Sequence, residues 1–256
     1  MTIEHNTITD PDLHEPKGVS TALAGEVYIA DGAGSGTWEH QTVTLLDSTG
    51  ENFGRIITAD GAGGASWDGA VWKDKEGGLI ARNSGATAPS FTAFRGGAID
   101  QYAFSANDEI QFEFHIPHDY KPGTDLYLHV HWSHNGTAIS GNMVWTYYAT
   151  YAKGHNQANF PAEVTGTITY ATTNIATTPQ YRHRIDEIQL SASAPTASQV
   201  DTDDLEIDGL LLVNVTATTI PTITGGTPNE PFLLKVDLHY QADAIGTLNK
   251  APNFYA

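Results

Sequence analysis

From about Ile110 to Tyr240 short segments in which apolar and polar residues alternate with period two recur one after another, and no stretch of the chain carries the apolar stripe of about 3.6-residue period that marks an amphipathic helix. This pattern leaves few folds open, because a strand with one apolar face needs a second apolar surface to cover it. In Gln111-Phe112-Glu113-Phe114-His115-Ile116 the apolar set is Phe112, Phe114 and Ile116; in Leu126 to Trp132 it is Leu126, Leu128, Val130 and Trp132. Met143 to Tyr151, Val164 to Tyr170, Tyr181 to Leu190, Leu205 to Thr216 and Phe232 to Tyr240 continue the series. Between them stand turn-forming clusters at Lys121-Pro122-Gly123, His134-Asn135-Gly136, Thr178-Pro179 and Gly225-Gly226-Thr227-Pro228. The expected class is all-β, an antiparallel β-sandwich of jelly-roll-like kind, with Phe112, Phe114, Leu128, Val130, Trp132, Leu234, Val236 and Leu238 inside. The one stretch with any helical character is Trp67 to Ile80, at best a short helix.

The residues before this region are of a different kind. Val27-Tyr28-Ile29-Ala30-Asp31-Gly32-Ala33-Gly34-Ser35-Gly36-Thr37-Trp38 returns as Ile56-Ile57-Thr58-Ala59-Asp60-Gly61-Ala62-Gly63-Gly64-Ala65-Ser66-Trp67. This is an internal duplication of one short unit, each copy reading strand, Asp-Gly turn, Trp. Units this small bury little of their own, so Trp38 and Trp67 are expected at subunit contacts. The expected organisation is an extended N-terminal arm over 1–24, a duplicated small β module over 25–80, and the sandwich over 81–256. Pro11 and Pro16 disfavour helix in the arm, whose apolar content is too low for a core of its own.

Charge and cysteine content exclude several functions. Twelve Lys and Arg against thirty Asp and Glu give a formal charge of −18, a field that repels nucleic-acid backbones and anionic lipid. There is no cysteine, hence no disulfide, thiolate metal site or thiol nucleophile. The first twenty residues lack the basic and apolar regions of a secretory signal, so synthesis and assembly in a cytoplasm are expected. The longest aliphatic run is Leu210 to Val213, against the roughly 20 apolar residues of a membrane-spanning helix.

Several motifs invite chemistry. Asp31-Gly32-Ala33-Gly34-Ser35-Gly36 lacks the lysine and following helix of a phosphate-binding loop, so it is a turn. His129 and His131 form an H-x-H pair on one strand face; with His239, or with His115, they are the candidates for a metal site. Their faces also carry Glu113, Tyr127, Lys235 and Asp237, which places them on an outer sheet face or at a subunit contact, and no metal is assigned. The acidic run from Asp201 to Asp208 departs from the EF-hand spacing and reads as a solvated loop. The glycosylation sequons at Asn135 and Asn214 carry little weight without secretion. Trp132, Trp145, Tyr147, Tyr148 and Tyr151 were they all exposed would suit a carbohydrate platform, but alternation puts about half of them inside. G-x-S-x-G is absent, and neither an enzymatic activity nor a cofactor is expected.

Two segments carry a resemblance. Leu13-His14-Glu15-Pro16-Lys17-Gly18-Val19, followed by Ala24-Gly25-Glu26-Val27-Tyr28-Ile29-Ala30-Asp31-Gly32-Ala33-Gly34-Ser35-Gly36-Thr37-Trp38, resembles the N-terminal segment of virion proteins of tailed bacteriophages, above all head-fibre and head-decoration types of short-tailed phages. Ile116-Pro117-His118-Asp119-Tyr120-Lys121-Pro122-Gly123-Thr124-Asp125, ending in His129-Val130-His131-Trp132, is similar to part of the β domain of such proteins. The resemblance implies a structural protein of the virion, a homo-oligomer such as a trimer that decorates or cements the capsid. It implies the major capsid protein or another virion protein as partner and brings no catalytic residues. His14, Glu15, Pro16, Lys17 and Gly18 would make that contact. Related segments on tail fibres leave a tail-fibre or receptor-binding protein as the alternative.

Overall fold

The computed structural model describes residues 23, 26–30, 36–40, 58–59, 65–66, 70–82, 87–172 and 178–254. Among them there is no α-helix. The strands are β1 (Glu26–Ala30), β2 (Gly36–His40), β3 (Thr58–Ala59), β4 (Ala65–Ser66), β5 (Val71–Glu76), β6 (Gly78–Arg82), β7 (Ser90–Ala93), β8 (Asp100–Ala103), β9 (Glu109–His115) and β10 (Tyr127–His134). They continue with β11 (Ala138–Ser140), β12 (Asn142–Ala152), β13 (Val164–Ala171), β14 (Arg184–Gln189), β15 (Ser191–Ala192), β16 (Val200–Asp201), β17 (Leu210–Thr219), β18 (Thr222–Thr224) and β19 (Pro231–Ala242). Contacts divide the chain into a small unit, residues 1–51 with 59–66, and a large unit, residues 52–58 with 67–256.

In the small unit β1 and β2 form an antiparallel hairpin in which Tyr28 faces Trp38. Their rings meet edge to face at 5.5 Å, so part of the Trp38 surface is covered within the hairpin itself. In the second copy of the repeat, β3 pairs with β4.

The large unit is an antiparallel β-sandwich. One sheet runs β14-β10-β19-β8-β7, with β5 alongside the C-terminal half of β19; the other runs β13-β12-β17-β9-β6. The alternation seen in the sequence gives one core shared by both sheets, built on Phe112, Phe114, Leu128, Val130, Trp132, Trp145, Val236 and Leu238. Trp132 and Trp145 are fully buried, and Phe104 packs edge-on against Trp145 at 5.5 Å. Burying a large aromatic side chain contributes on the order of 2–3 kcal/mol. The chain crosses between sheets at Gly77, where a Cβ would lie 2.7 Å from the Phe114 ring, so only glycine fits the crossing without moving that ring.

Several expectations need correction. Leu234 is half-buried rather than inside: His131 pairs with Lys235 but Trp132 pairs with Leu233, so a β-bulge skips Leu234 and gives the inward position to Leu233. Residues 71–82 are not helical. Val71, Lys73 and Lys75 alternate with Trp72, Asp74 and Glu76 along a strand paired to β19, so the sandwich begins before residue 81. The strand expected from Leu205 starts at Leu210 because Asp208 has φ +64°, which strand geometry does not accommodate. Leu205 and Ile207 instead plug the core from the loop.

Candidate metal centre on the outer sheet face

Strand register sets out the site. On the outer face of the first sheet, β19 places His239 and Asp237 beside Asp74 and Glu76 of β5 on one side and Tyr127 and His129 of β10 on the other. Beyond β10, Glu187 of β14 lies opposite His129 and Ile185 opposite His131. An antiparallel sheet thus assembles a row Glu76, Asp237, His129, Glu187, with Lys235 and His131 one step along.

The histidines lie on an outer face, where the surrounding side chains shield its centre from water. Asp237 is 0 % exposed and His131 7 %. Asp237 gathers three bases: Lys235 Nζ at 2.9 Å and His131 Nε2 at 3.0 Å from Oδ2, and His129 Nδ1 at 3.2 Å from Oδ1. These contacts are ion pairs that fall outside ideal hydrogen-bond alignment at both Asp237 oxygens and at His131 Nε2, all of them buried. The far nitrogens of the two imidazoles are held. His129 Nε2 lies 2.6 Å from Glu187 Oε2, and His131 Nδ1 lies 2.7 Å from His183 Nε2. Trp72 stacks on His239 at 4.7 Å and His239 on His129 at 4.8 Å, while His239 Nδ1 contacts Asp74 at 2.7 Å.

Electrostatics follow this packing. Burial would push the Asp237 carboxyl up, but His129, His131 and Lys235 together hold it well below the usual carboxylate range. The Asp237 carboxylate raises the His129 imidazole above its ordinary value, against the opposing effect of burial and with help from Glu187. His183 is lowered by burial first and then by the neighbouring His131 and Lys235.

His115, Asp208 and the acidic loop form a second cluster on other elements. His115 and His118 approach Asp208 Oδ1 at 2.9 and 2.8 Å, and His155 approaches Oδ2 at 2.9 Å. These imidazoles are a third to a half exposed, and with Asp208 they do not meet the spacing of a ligand set: among the described residues the groups whose donor atoms lie within 4.8 Å of one another are His129, His131, Asp237 and Asp74, His129, His239. The rest of the acidic run is occupied locally, Asp201 accepting the Asp203 N–H at 3.0 Å to cap a 3-10 turn over Thr202–Asp204.

Sequence reading found His129, His131, His239, Lys235 and Asp237 on one face. It missed Trp72 and Asp74, because β5 read as helical, and His183, which lies outside any strand. Of the aromatic residues considered for a sugar platform, Trp132, Trp145, Tyr147 and Tyr151 are buried and only Tyr148 is half-exposed, so this set forms no platform. Asn135 is buried, its amide donating to the Thr227 carbonyl, and Asn214 donates to Glu109. His14, Glu15, Pro16, Lys17, Gly18 and Trp67 lie outside the described residues.

No protein-family model matches the chain, and no curated protein does. Among solved structures it is similar to the crystal structure of dimeric latent PorU from Porphyromonas gingivalis, at 9 % identity and a TM-score of 0.30, over 76 % of this chain and 14 % of that one.

Proposed function

We propose that the protein is a structural component of a tailed-bacteriophage particle, a capsid-decorating or head-fibre protein that joins the shell through its N-terminal region and acts as a homo-oligomer, a trimer in the favoured form. One observation carries the reading: a small unit holding the paired strands β1 and β2, in the stretch where the sequence is duplicated, precedes a sandwich whose large aromatics are mostly buried in its own core. The resemblance to virion proteins covers that N-terminal stretch. Such a module adds surface and rigidity without a reaction of its own, and no catalytic step is assigned to it. The charge of −18 disfavours a role against packaged DNA. In this reading the partner is the major capsid protein or another virion protein. His14, Glu15, Pro16, Lys17 and Gly18 make the contact, Trp38 and Trp67 lie between subunits, and the protein reaches the virion after assembly in the host cytoplasm.

Deleting residues 2–19 tests it. The truncated chain is expected to fold with the circular dichroism of the full chain and yet to be missing from purified particles. Truncated protein present in particles at the normal copy number would overturn the anchor, and full-length protein absent from particles would overturn the function.

A further inference from the structure

We infer that His129, His131 and Asp237 form a binding site for one divalent first-row transition cation, Zn²⁺ by its donor chemistry, with His129 Nδ1, His131 Nε2 and an Asp237 carboxylate oxygen as ligands. The inference does not depend on the particle role proposed above.

Four observations on this face carry it. The first is spacing. Three ligands around a tetrahedral zinc at about 2.1 Å sit roughly 3.4 Å from one another; here His129 Nδ1 lies 3.2 Å from Asp237 Oδ1 and His131 Nε2 3.0 Å from Oδ2, and one donor atom from each of the three residues lies within 4.8 Å of the other two. The second is buried donor capacity. His131 Nε2 and both Asp237 oxygens are buried, and they meet one another and Lys235 as ion-pair contacts outside hydrogen-bond alignment, so their lone pairs are open to a cation seated between them.

The third is the outer support. A metal-bound histidine ordinarily gives its other ring N–H to a carboxylate or another acceptor, which fixes the tautomer and turns a lone pair toward the metal. His129 has Glu187 at 2.6 Å on Nε2, and His131 has His183 Nε2 at 2.7 Å on Nδ1. Both remote nitrogens are therefore held while both inner ones face Asp237. The fourth is rigidity. His129 and His131 are two residues apart on β10 and Asp237 is the direct cross-strand neighbour of His129 on β19, so ladder hydrogen bonds fix all three ligands.

Lys235 makes the inference sharp. Its ammonium lies 2.9 Å from Asp237 Oδ2, where it competes with a metal for the same oxygen, and it already reaches Glu76 at 3.2 Å. A cation would displace it toward Glu76. A purely structural charge network predicts the reverse, since removing Lys235 would then leave Asp237 short of a partner without creating affinity for anything.

The test is calorimetric titration of Zn²⁺ into the full-length chain, prepared without a polyhistidine tag and dialysed against chelator, with thermal melts of every variant. One Zn²⁺ per chain is expected. Lys235→Met should tighten binding by about tenfold or more, His131→Ala should weaken it by about a hundredfold, and His155→Ala, in the Asp208 cluster, should leave it unchanged. Absence of stoichiometric Zn²⁺ binding by the wild-type chain overturns the inference. So does an affinity that is unchanged or weakened by Lys235→Met, a readout available even if His131→Ala fails to fold, and so does binding that is lost in His155→Ala.

Discussion

Asp237 and Asp208 each collect three basic side chains, yet the two sites differ in nearly every physical respect. Asp237 draws its partners from two paired strands and is sealed beneath them. Asp208 sits in a loop with φ +64° and draws on His115 at a strand end and on His118 and His155 from loops, all of them substantially exposed. Burial strengthens each interaction in the first site and makes each unmatched atom costly; water and counterions weaken both effects in the second. Strand register brings two imidazole nitrogens and a carboxylate oxygen all within 4.8 Å of one another, a mutual spacing the imidazoles around Asp208 do not reach.

The largest expected effect of breaking this contrast is at Asp237. Asp237→Ala removes the buried carboxylate that Lys235, His129 and His131 share and leaves Lys235 with Glu76 and His129 with Glu187 alone, and a loss of about 3–5 kcal/mol in chemical denaturation is expected. A loss no greater than at Asp208 would mean that water already reaches the cluster and that burial is not what distinguishes it.

Asp186 separates burial from pairing. On the inward face of the same sheet its carboxylate accepts the Trp132 indole N–H at 2.6 Å. Burial pushes its pKa up to about 6, with Trp132 and Arg184 only partly opposing the rise. A carboxyl that holds its proton more tightly folded than unfolded costs stability once pH exceeds the folded value, and the cost disappears as pH falls through the unfolded value of 3.8. Asp186→Asn keeps an oxygen for Trp132 and is expected to stabilise the chain by about 1–3 kcal/mol near pH 7.5, with no gain at about pH 3.5. Equal melting of variant and parent near neutral pH would show that its neighbours compensate the carboxylate fully.

The smallest effect is expected at Asp208. Burial would raise its carboxyl, but His155, His118 and His115 hold it below the usual range, a contribution present above the unfolded carboxylate value and lost in acid. Because the partners are exposed, Asp208→Asn should cost about 1 kcal/mol or less in the same denaturation assay. A larger loss would make the loop cluster the stronger of the two.

The same contrast marks how far the sequence could be read. Period-two alternation is a local signal, and it predicted the β class, most strands and the inward faces of β9 and β10. It did not reveal the bulge that turns Leu234 outward, because one skipped residue in a ladder leaves no trace in composition. Val71–Glu76 carries more charge than a buried strand and was therefore open to a helical reading; pairing to β19 decides it, and with it the positions of Trp72 and Asp74. The H-x-H pair and Asp237 were visible as residues of outer faces. Their juxtaposition depends on register between segments about a hundred positions apart in the chain, which alternation alone does not encode.

The most direct test of the central claim, that register on β10 and β19 aims three ligands at one point, is an anomalous-scattering map from a crystal of the Zn²⁺-treated protein. The account predicts one strong peak about 2.0–2.2 Å from His129 Nδ1, His131 Nε2 and an Asp237 oxygen, with Lys235 moved toward Glu76. A peak at Asp208, a peak held by Asp74 and His239 without His131, or no peak on this face would contradict it.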